Sequence, residues 1–293
     1  LDGIRQMLWG FFKKVVVADN CALFVNGVFE NYQTLDGSTL FLGAFFFTIQ
    51  IYGDFSGYSD IAIGCARLFG IDLMQNFKYP YFSRDIAEFW RRWHISLTTW
   101  FRDYIYIPLG GSRAGKWKSF RNTLVIFLVS GFWHGANWTF VAWGAYHALL
   151  FLPLLLLGQN RRYRDSVAEN SFLPSVKELT QMGATFLLVL LGWILFRSED
   201  ISQAAVYLER MFNVSLFSAP QLVGLGFGQL LLKKCFFFTA LMFIVEWIGR
   251  KQAHGLMIED LSLPVRYVIY TVLLIIIYGF DASNPQGFIY FQF

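Results

Sequence analysis

Two histidines carry most of the chemistry that this sequence can support. His134 stands in Ser130-Gly-Phe-Trp-His-Gly-Ala-Asn-Trp-Thr, inside residues 122–157, a run of 36 residues without Asp, Glu, Lys or Arg. An ionisable group at membrane depth is costly to keep and is a functional candidate by default. A neutral imidazole there is suited to accept a proton, because its ordinary pKa lies near working pH. Gly131 and Gly135 allow backbone or substrate to approach. Asn137 could orient the ring or donate to a developing oxyanion, and Trp133 could shape a pocket wall. The plainer alternative is a histidine hydrogen-bonded between two helices.

His94 lies in residues 85–104, where apolar and polar side chains alternate with helical period. Ile86, Phe89, Trp90, Trp93, Leu97, Trp100, Phe101 and Tyr104 project to one face, and Glu88, Arg91, Arg92, Thr99, Arg102 and Asp103 to the other. Aromatics opposite arginines describe an amphipathic helix in the membrane interface. His94 falls on the border between the faces, as a satisfied border residue or as part of a site. Trp93, Arg102, Asp103 and Tyr104 are candidate substrate contacts.

The other chemistry-bearing residues read as mainly structural. Asp54 and Asp60 interrupt an apolar run; they could relay protons, pair with arginine, or fix helices together. His147 reads as a packing residue and His254 as a surface residue beside Lys251 and Gln252. Cys21, Cys65 and Cys235 are too scattered for a metal or disulfide framework. There is no G-x-S-x-G, H-E-x-x-H or P-loop. Gly224-Leu-Gly226-Phe-Gly228 lacks the spacing and strand context of a dinucleotide loop. No bound metal or cofactor is expected.

The elements that would position these residues are membrane helices. Of 293 residues, 56% are hydrophobic, 19% aromatic and only 15% charged, with mean hydropathy +0.45. A soluble domain carries about a quarter charged residues. Disorder, coiled coil and nucleic-acid binding are excluded, and lipid is the expected surroundings. Segments at 37–68, 122–157, 179–196, 229–248 and 265–280 read as about five to seven crossings. The 122–157 run divides into two helices, or a span plus a re-entrant piece, near Gly131, Gly135 and Asn137. Residues 4–29 read as a less regular span. The net charge of +4 says little about an acidic partner; the position of the charge says more. Between Arg84 and Arg121 eight Lys and Arg face three Asp and Glu, which places this connection in the cytoplasm. Arg161, Arg162 and Arg164 join it if 122–157 crosses twice.

Several of these stretches resemble one family. Asp85-Ile-Ala-Glu-Phe-Trp-Arg-Arg-Trp-His-Ile-Ser-Leu-Thr-Thr-Trp-Phe-Arg-Asp-Tyr-Ile-Tyr-Ile-Pro-Leu-Gly-Gly111 is similar to the hallmark stretch of membrane-bound O-acyltransferases (MBOAT). It is closest to the bacterial branch that acetylates exported polysaccharides such as alginate. Gly131-Phe-Trp-His-Gly-Ala-Asn-Trp-Thr-Phe resembles that branch's second motif. The stretch from Gln50 to Gly64 and the terminal Phe288-Ile-Tyr-Phe-Gln-Phe are also similar, Gly53 standing where a bulkier residue would be expected.

The resemblance implies an all-α, multi-pass helical fold with a funnel or tunnel through the bilayer, interfacial helices, and one membrane domain over 1–293. It implies a catalytic role for His134 and a required or near-catalytic one for His94. It further implies acetyl-CoA as acyl donor, a bacterial inner-membrane location, a periplasmic SGNH-type acetyltransferase as partner, and polysaccharide synthesis and export proteins alongside. Family members are longer, and the start at Leu1 is expected to mark a C-terminal portion lacking earlier spans. Two other functions compete: a transporter or channel for an acyl donor or polymer, and D-alanyl transfer to teichoic acid. The Tyr106-Ile-Pro-Leu-Gly-Gly ending favours the polysaccharide branch.

Overall fold

The structure, a computed structural model, describes residues 1–113, 115–222, 228–280 and 287–288. Gly224, Gly226 and the terminal motif beyond Phe288 lie outside the described residues. Among the described residues all regular structure is helical. They form two compact units, Leu1–Gln75 with Glu209–Phe293, and Asn76–Leu208.

The first unit begins with α1 (Asp2–Phe11), a π-helical turn over Phe12–Ala18, and α2 (Asp19–Glu30), which follow one another without a break in helical backbone. Helix α3 (Gly37–Leu68) has 32 residues, about 48 Å of rise. Asp36 starts it by accepting a hydrogen bond from the Thr39 amide at 2.9 Å. The expected one long or two short helices at 37–68 are therefore one.

Helices α1 and α3 meet through glycine. A Cβ on Gly3 would lie 2.5 Å from the Gly64 carbonyl oxygen, and one on Gly10 would lie 2.6 Å from that of Gly57. Both pairs are seven residues apart on each helix, so the two backbones touch at successive turns. Gly53 follows the same logic: its Cβ would lie 3.1 Å from the Lys13 carbonyl oxygen, so a bulkier residue would push α3 off the π turn.

That π turn carries a buried lysine, Lys13, and a partly buried one, Lys14. Lys13 Nζ lies 2.7 Å from Asp60 and donates to Ser56 Oγ at 2.8 Å. Lys14 Nζ lies 2.6 Å from Asp54 and 2.8 Å from Asp19. The two aspartates in the apolar run thus fasten helices together, with lysine rather than arginine as partner. Helices α10 (Gln229–Ile248) and α11 (Leu263–Gly279) complete this unit. Tyr52 Oη donates to the buried Glu246 of α10 at 2.8 Å.

His254 is not on the surface. It is 2% exposed, with Nε2 at 3.0 Å from Asp2 Oδ1. The polar composition of its loop suggested solvent, but the Trp9 ring packs within 3.1 Å of where a Gly255 Cβ would stand. That packing draws the loop onto α1. The three cysteines are free thiols, Cys21 and Cys235 buried and Cys65 exposed.

The second unit holds α4 (Ile86–Arg92), α5 (Ile95–Phe101), a π turn over Arg102–Tyr106, α6 (Lys116–His134), α7 (Trp138–Leu156) and α8 (Val176–Arg197). It ends within α9 (Ile201–Met211). The uncharged run is two helices, broken between His134 and Trp138. Gly131 and Gly144 let them pack closely, each facing a backbone carbonyl of the other helix, Phe140 and Phe127 respectively. Ser175 and Glu178 form a reciprocal capping box at the start of α8. Among the described residues α7 and α8 are long and apolar enough to cross a membrane, and α11 is a shorter apolar helix.

The single amphipathic helix expected over 85–104 is instead two short ones. Trp93 is extended (φ −102°, ψ 129°) and His94 is left-handed (φ 45°, ψ 55°). A residue with a side chain in that region costs on the order of 1–3 kcal/mol and persists where its surroundings hold it. Periodicity continues through the break, so the sequence pattern does not reveal it. The break also changes the faces. Glu88 and Arg92, expected on the polar face, are 1% and 6% exposed, while Trp100 and Tyr104, on the expected membrane-interface face, are 49% and 67% exposed.

Candidate active site

The His94 kink is held from outside its own helices. The Ile95 amide donates to the Asn76 carbonyl at 2.9 Å, and the Lys78 amide donates to the Arg92 carbonyl at 2.9 Å. Residues 76–78 therefore brace both sides of the break. The Asn76 side chain then reaches His94 itself, with Oδ1 at 3.1 Å from Nδ1.

The same oxygen accepts from Ser96 Oγ at 2.9 Å and from the Ser96 backbone N–H at 3.3 Å. A backbone N–H can only donate, so this Asn76 atom is the carbonyl oxygen. His94 Nδ1 must then carry a proton to bond it. The neutral ring consequently keeps its lone pair on Nε2, the far nitrogen. Burial pushes the His94 pKa down to about 4, which favours the neutral ring at neutral pH. His94 is built as a fixed hydrogen-bond acceptor.

His134 is the last residue of α6. Gly135 follows it, and a Cβ there would lie 2.6 Å from the Phe140 ring, so glycine lets the chain turn tightly against α7. Four aromatic rings surround the imidazole: Trp133 at 5.1 Å between centroids, Trp143 at 5.2 Å, Phe196 at 5.0 Å and Phe140 at 6.4 Å. Trp143 and Phe196 meet it edge-on, at 90° and 78°. The ring is walled in on α7 and α8 and partly open at the helix end.

Trp133 joins the two histidines. It is 52% exposed and its ring lies 6.4 Å from His94. The two expected site histidines, 40 positions apart in the chain, thus flank one half-exposed indole. A base, a fixed acceptor and a half-exposed aromatic surface side by side can hold a hydroxyl or a partner nucleophile and take its proton.

The other candidates divide. Asn137 stands in the same break, but both ends of its amide are engaged. Oδ1 caps α7 through the Thr139 amide at 3.1 Å, and Nδ2 donates to the Glu199 carbonyl at 2.6 Å. It shapes the turn after His134. Trp93 is 2% exposed, wedged among Phe77, Tyr81, Phe89 and Trp193; it supports the kink from inside. Arg102, Asp103 and Tyr104 lie on an exposed face. Arg102 Nε donates to its neighbour Asp103 at 2.7 Å, and Tyr104 packs on Trp100 at 5.1 Å. The structure does not bring these three to either histidine.

His147 is fully buried, its ring among Trp90, Trp143, Tyr146 and Trp193. A Cβ on Gly192 would lie 2.6 Å from its Nε2, so the ring occupies the space that glycine leaves. Asn76 was not marked by any pattern in the sequence, and Ser96, though inside the Asp85–Gly111 stretch, was not singled out. Asn76 sits in an irregular stretch with no motif, and only the fold brings it to His94.

The chain is 41% identical over 236 residues to the probable alginate O-acetylase AlgI of Pseudomonas aeruginosa, covering 79% of this chain and 43% of that protein. It is 38% identical over 206 residues to the peptidoglycan O-acetyltransferase of Helicobacter pylori, covering 70% of this chain and 38% of that one. It is 29% identical over 209 residues to the teichoic acid D-alanyltransferase of Bacillus subtilis, covering 67% and 51%. The chain spans about half or less of the length of these curated relatives. Residues 21–168, which include both histidines and their brace, match the MBOAT, membrane-bound O-acyltransferase family, and the chain belongs to that family.

Proposed function

We propose that this chain carries the transfer site of a bacterial inner-membrane, multi-pass O-acetyltransferase that serves an exported polysaccharide such as alginate. The observation that supports it is the pair His94 and His134 against Trp133 at the break between α6 and α7. The acetyl donor in this reading is a cytoplasmic thioester, acetyl-CoA. His134 takes the proton of the accepting hydroxyl. The freed oxygen attacks the thioester carbonyl, the new C–O bond forms, the C–S bond breaks, and the thiolate leaves with the proton. His94 holds the hydroxyl by accepting its hydrogen bond at Nε2, since its neutral form is the favoured one. The acceptor is a nucleophile of a periplasmic SGNH-type acetyltransferase, which passes the group to polymer delivered by synthesis and export proteins.

The chain is proposed to cross the membrane about five to seven times. The Arg-rich stretch after Arg84 and the loop after α7 lie at one end of their unit, since Arg84 Nη2 donates to the Asp165 carbonyl at 3.0 Å. Two crossings by α6 and α7 produce that proximity. Exposed Leu230, Phe237, Tyr267, Val268, Ile275 and Tyr278 on α10 and α11 fit a lipid contact. The transporter reading loses its main support, because Asp54 and Asp60 are each tied to a lysine.

Membranes containing the protein and its polymer, given acetyl-labelled CoA, are expected to accumulate label in alkali-labile ester. Transport of label without a new ester would overturn the reading. Asn76→Ala is expected to lower that transfer about tenfold, the weight of one hydrogen bond, and to shift His94 between tautomers. Imidazole NMR shifts check the second effect, which loss of packing alone would not produce.

A further inference from the structure

A cleft of about 390 Å³ lies in the unit Asn76–Leu208, between α4 and the loop that follows α7. Lys78, Arg91, Arg92, Arg161 and Arg164 line it, with Asp165 as its one carboxylate. The excess of four positive charges equals the net charge of the whole chain.

Most of that charge is uncompensated. Arg92 is held by Glu88 at 2.6 Å, and Asp165 Oδ1 accepts from Arg84 at 3.2 Å. Lys78, Arg91, Arg161 and Arg164 form no close ion pair among the described residues, although Asp85 and Glu88 act on the Arg91 charge from a greater distance. Arg91 is nevertheless fixed in place, because its two terminal nitrogens donate to the backbone carbonyls of Asn160 and Tyr163. Neutral carbonyls orient a guanidinium without cancelling its charge. The backbone at Lys78 is fixed as well, by its bond to Arg92. Four like charges gathered at one cleft repel each other, and an anion with several oxygens relieves them all. Guanidinium groups match the oxygens of a phosphate two at a time, and a phosphate offers more oxygens than one carboxylate to several cations at once.

We propose that this cleft is a phosphoryl-binding site, taking the phosphate groups of a nucleotide-type donor or of an anionic phospholipid head group. The nucleotide source rests on the acetyl-transfer reading; recognition of phosphate does not.

The test uses purified protein in detergent and the double variant Arg161→Gln/Arg164→Gln, whose side chains are exposed and outside the helices. Lys118→Gln, exposed on α6, is the control. The probes are coenzyme A, adenosine bisphosphate, and vesicles of phosphatidylcholine with and without phosphatidylglycerol. Wild type and control are expected to bind coenzyme A and adenosine bisphosphate about tenfold or more tightly than the double variant, with a difference that shrinks as salt rises. That result supports the site and assigns it to the nucleotide. Selective binding of phosphatidylglycerol vesicles, lost in the double variant, supports the site and assigns it to the head group. Equal binding of every probe by wild type and double variant, or none by wild type, overturns it. Failure of the acetyl-transfer reading is read separately, as binding without label transfer.

Discussion

Replacing His134 by alanine is expected to lower O-acetyl transfer by about 10²- to 10⁴-fold, the usual worth of a positioned general base, while leaving the protein in the membrane. The expectation of normal folding comes from where the ring sits. It ends α6, is partly open to solvent, and closes no helix by its own contacts with Trp133, Trp143, Phe196 and Phe140. Those rings pack on one another without it: Trp143 on Phe196 at 5.3 Å and Phe140 on Phe196 at 5.0 Å. His134→Gln separates base from filler, because it keeps polar volume but cannot take a proton near neutral pH. Both variants should therefore be inactive at wild-type abundance. The measurement is polymer O-acetyl content beside immunodetected protein. Wild-type acetylation in either variant would remove His134 from the chemistry and leave Trp133 and His94 as binding groups only.

What the sequence revealed follows from how local each feature is. The break near Gly135 was legible because glycine and an Asn helix cap are local signals. So were the long helices, whose composition alone marks them. The His94 kink was not legible, since the force that bends it comes from Asn76 and Lys78, outside the helix and without motif. His254 was misplaced for the same reason: its burial depends on Asp2 and Trp9, more than 240 positions away. Trp93 and Tyr104 were grouped as substrate contacts on one face, but a left-handed residue between them sends one into the core and the other onto the exposed surface. The histidine pair was legible as two candidates; that Trp133 joins them was visible only in the fold.

The largest effect on stability is expected at Glu88, which helical periodicity placed in solvent. Its carboxylate is 1% exposed and serves two arginines at once. It accepts from Arg92 Nη2 at 2.6 Å, from Arg84 Nη2 at 3.0 Å and Nε at 3.1 Å, and from the Arg84 amide at 2.7 Å. Burial alone would lower the Arg84 pKa, yet Glu88 and Asp165 hold it above the ordinary arginine value. Removing one member of a buried ion cluster costs about 3–5 kcal/mol, because the remaining charges stay desolvated and unpaired. Glu88→Ala leaves Arg92 in that state, in the short helix that precedes the His94 kink, and leaves Arg84 with only the more exposed Asp165 and Glu178. Its thermal unfolding midpoint should fall well below wild type, and acetyl transfer should fall with it. Glu88→Gln keeps the shape and one acceptor and should lie between the two. Replacing all three members together, Arg84→Met, Glu88→Leu and Arg92→Met, should recover much of the lost midpoint, since no charge is then stranded. A wild-type midpoint in Glu88→Ala would mean that the two guanidinium groups reach water without it, and that α4 is held by its aromatic face rather than by this carboxylate.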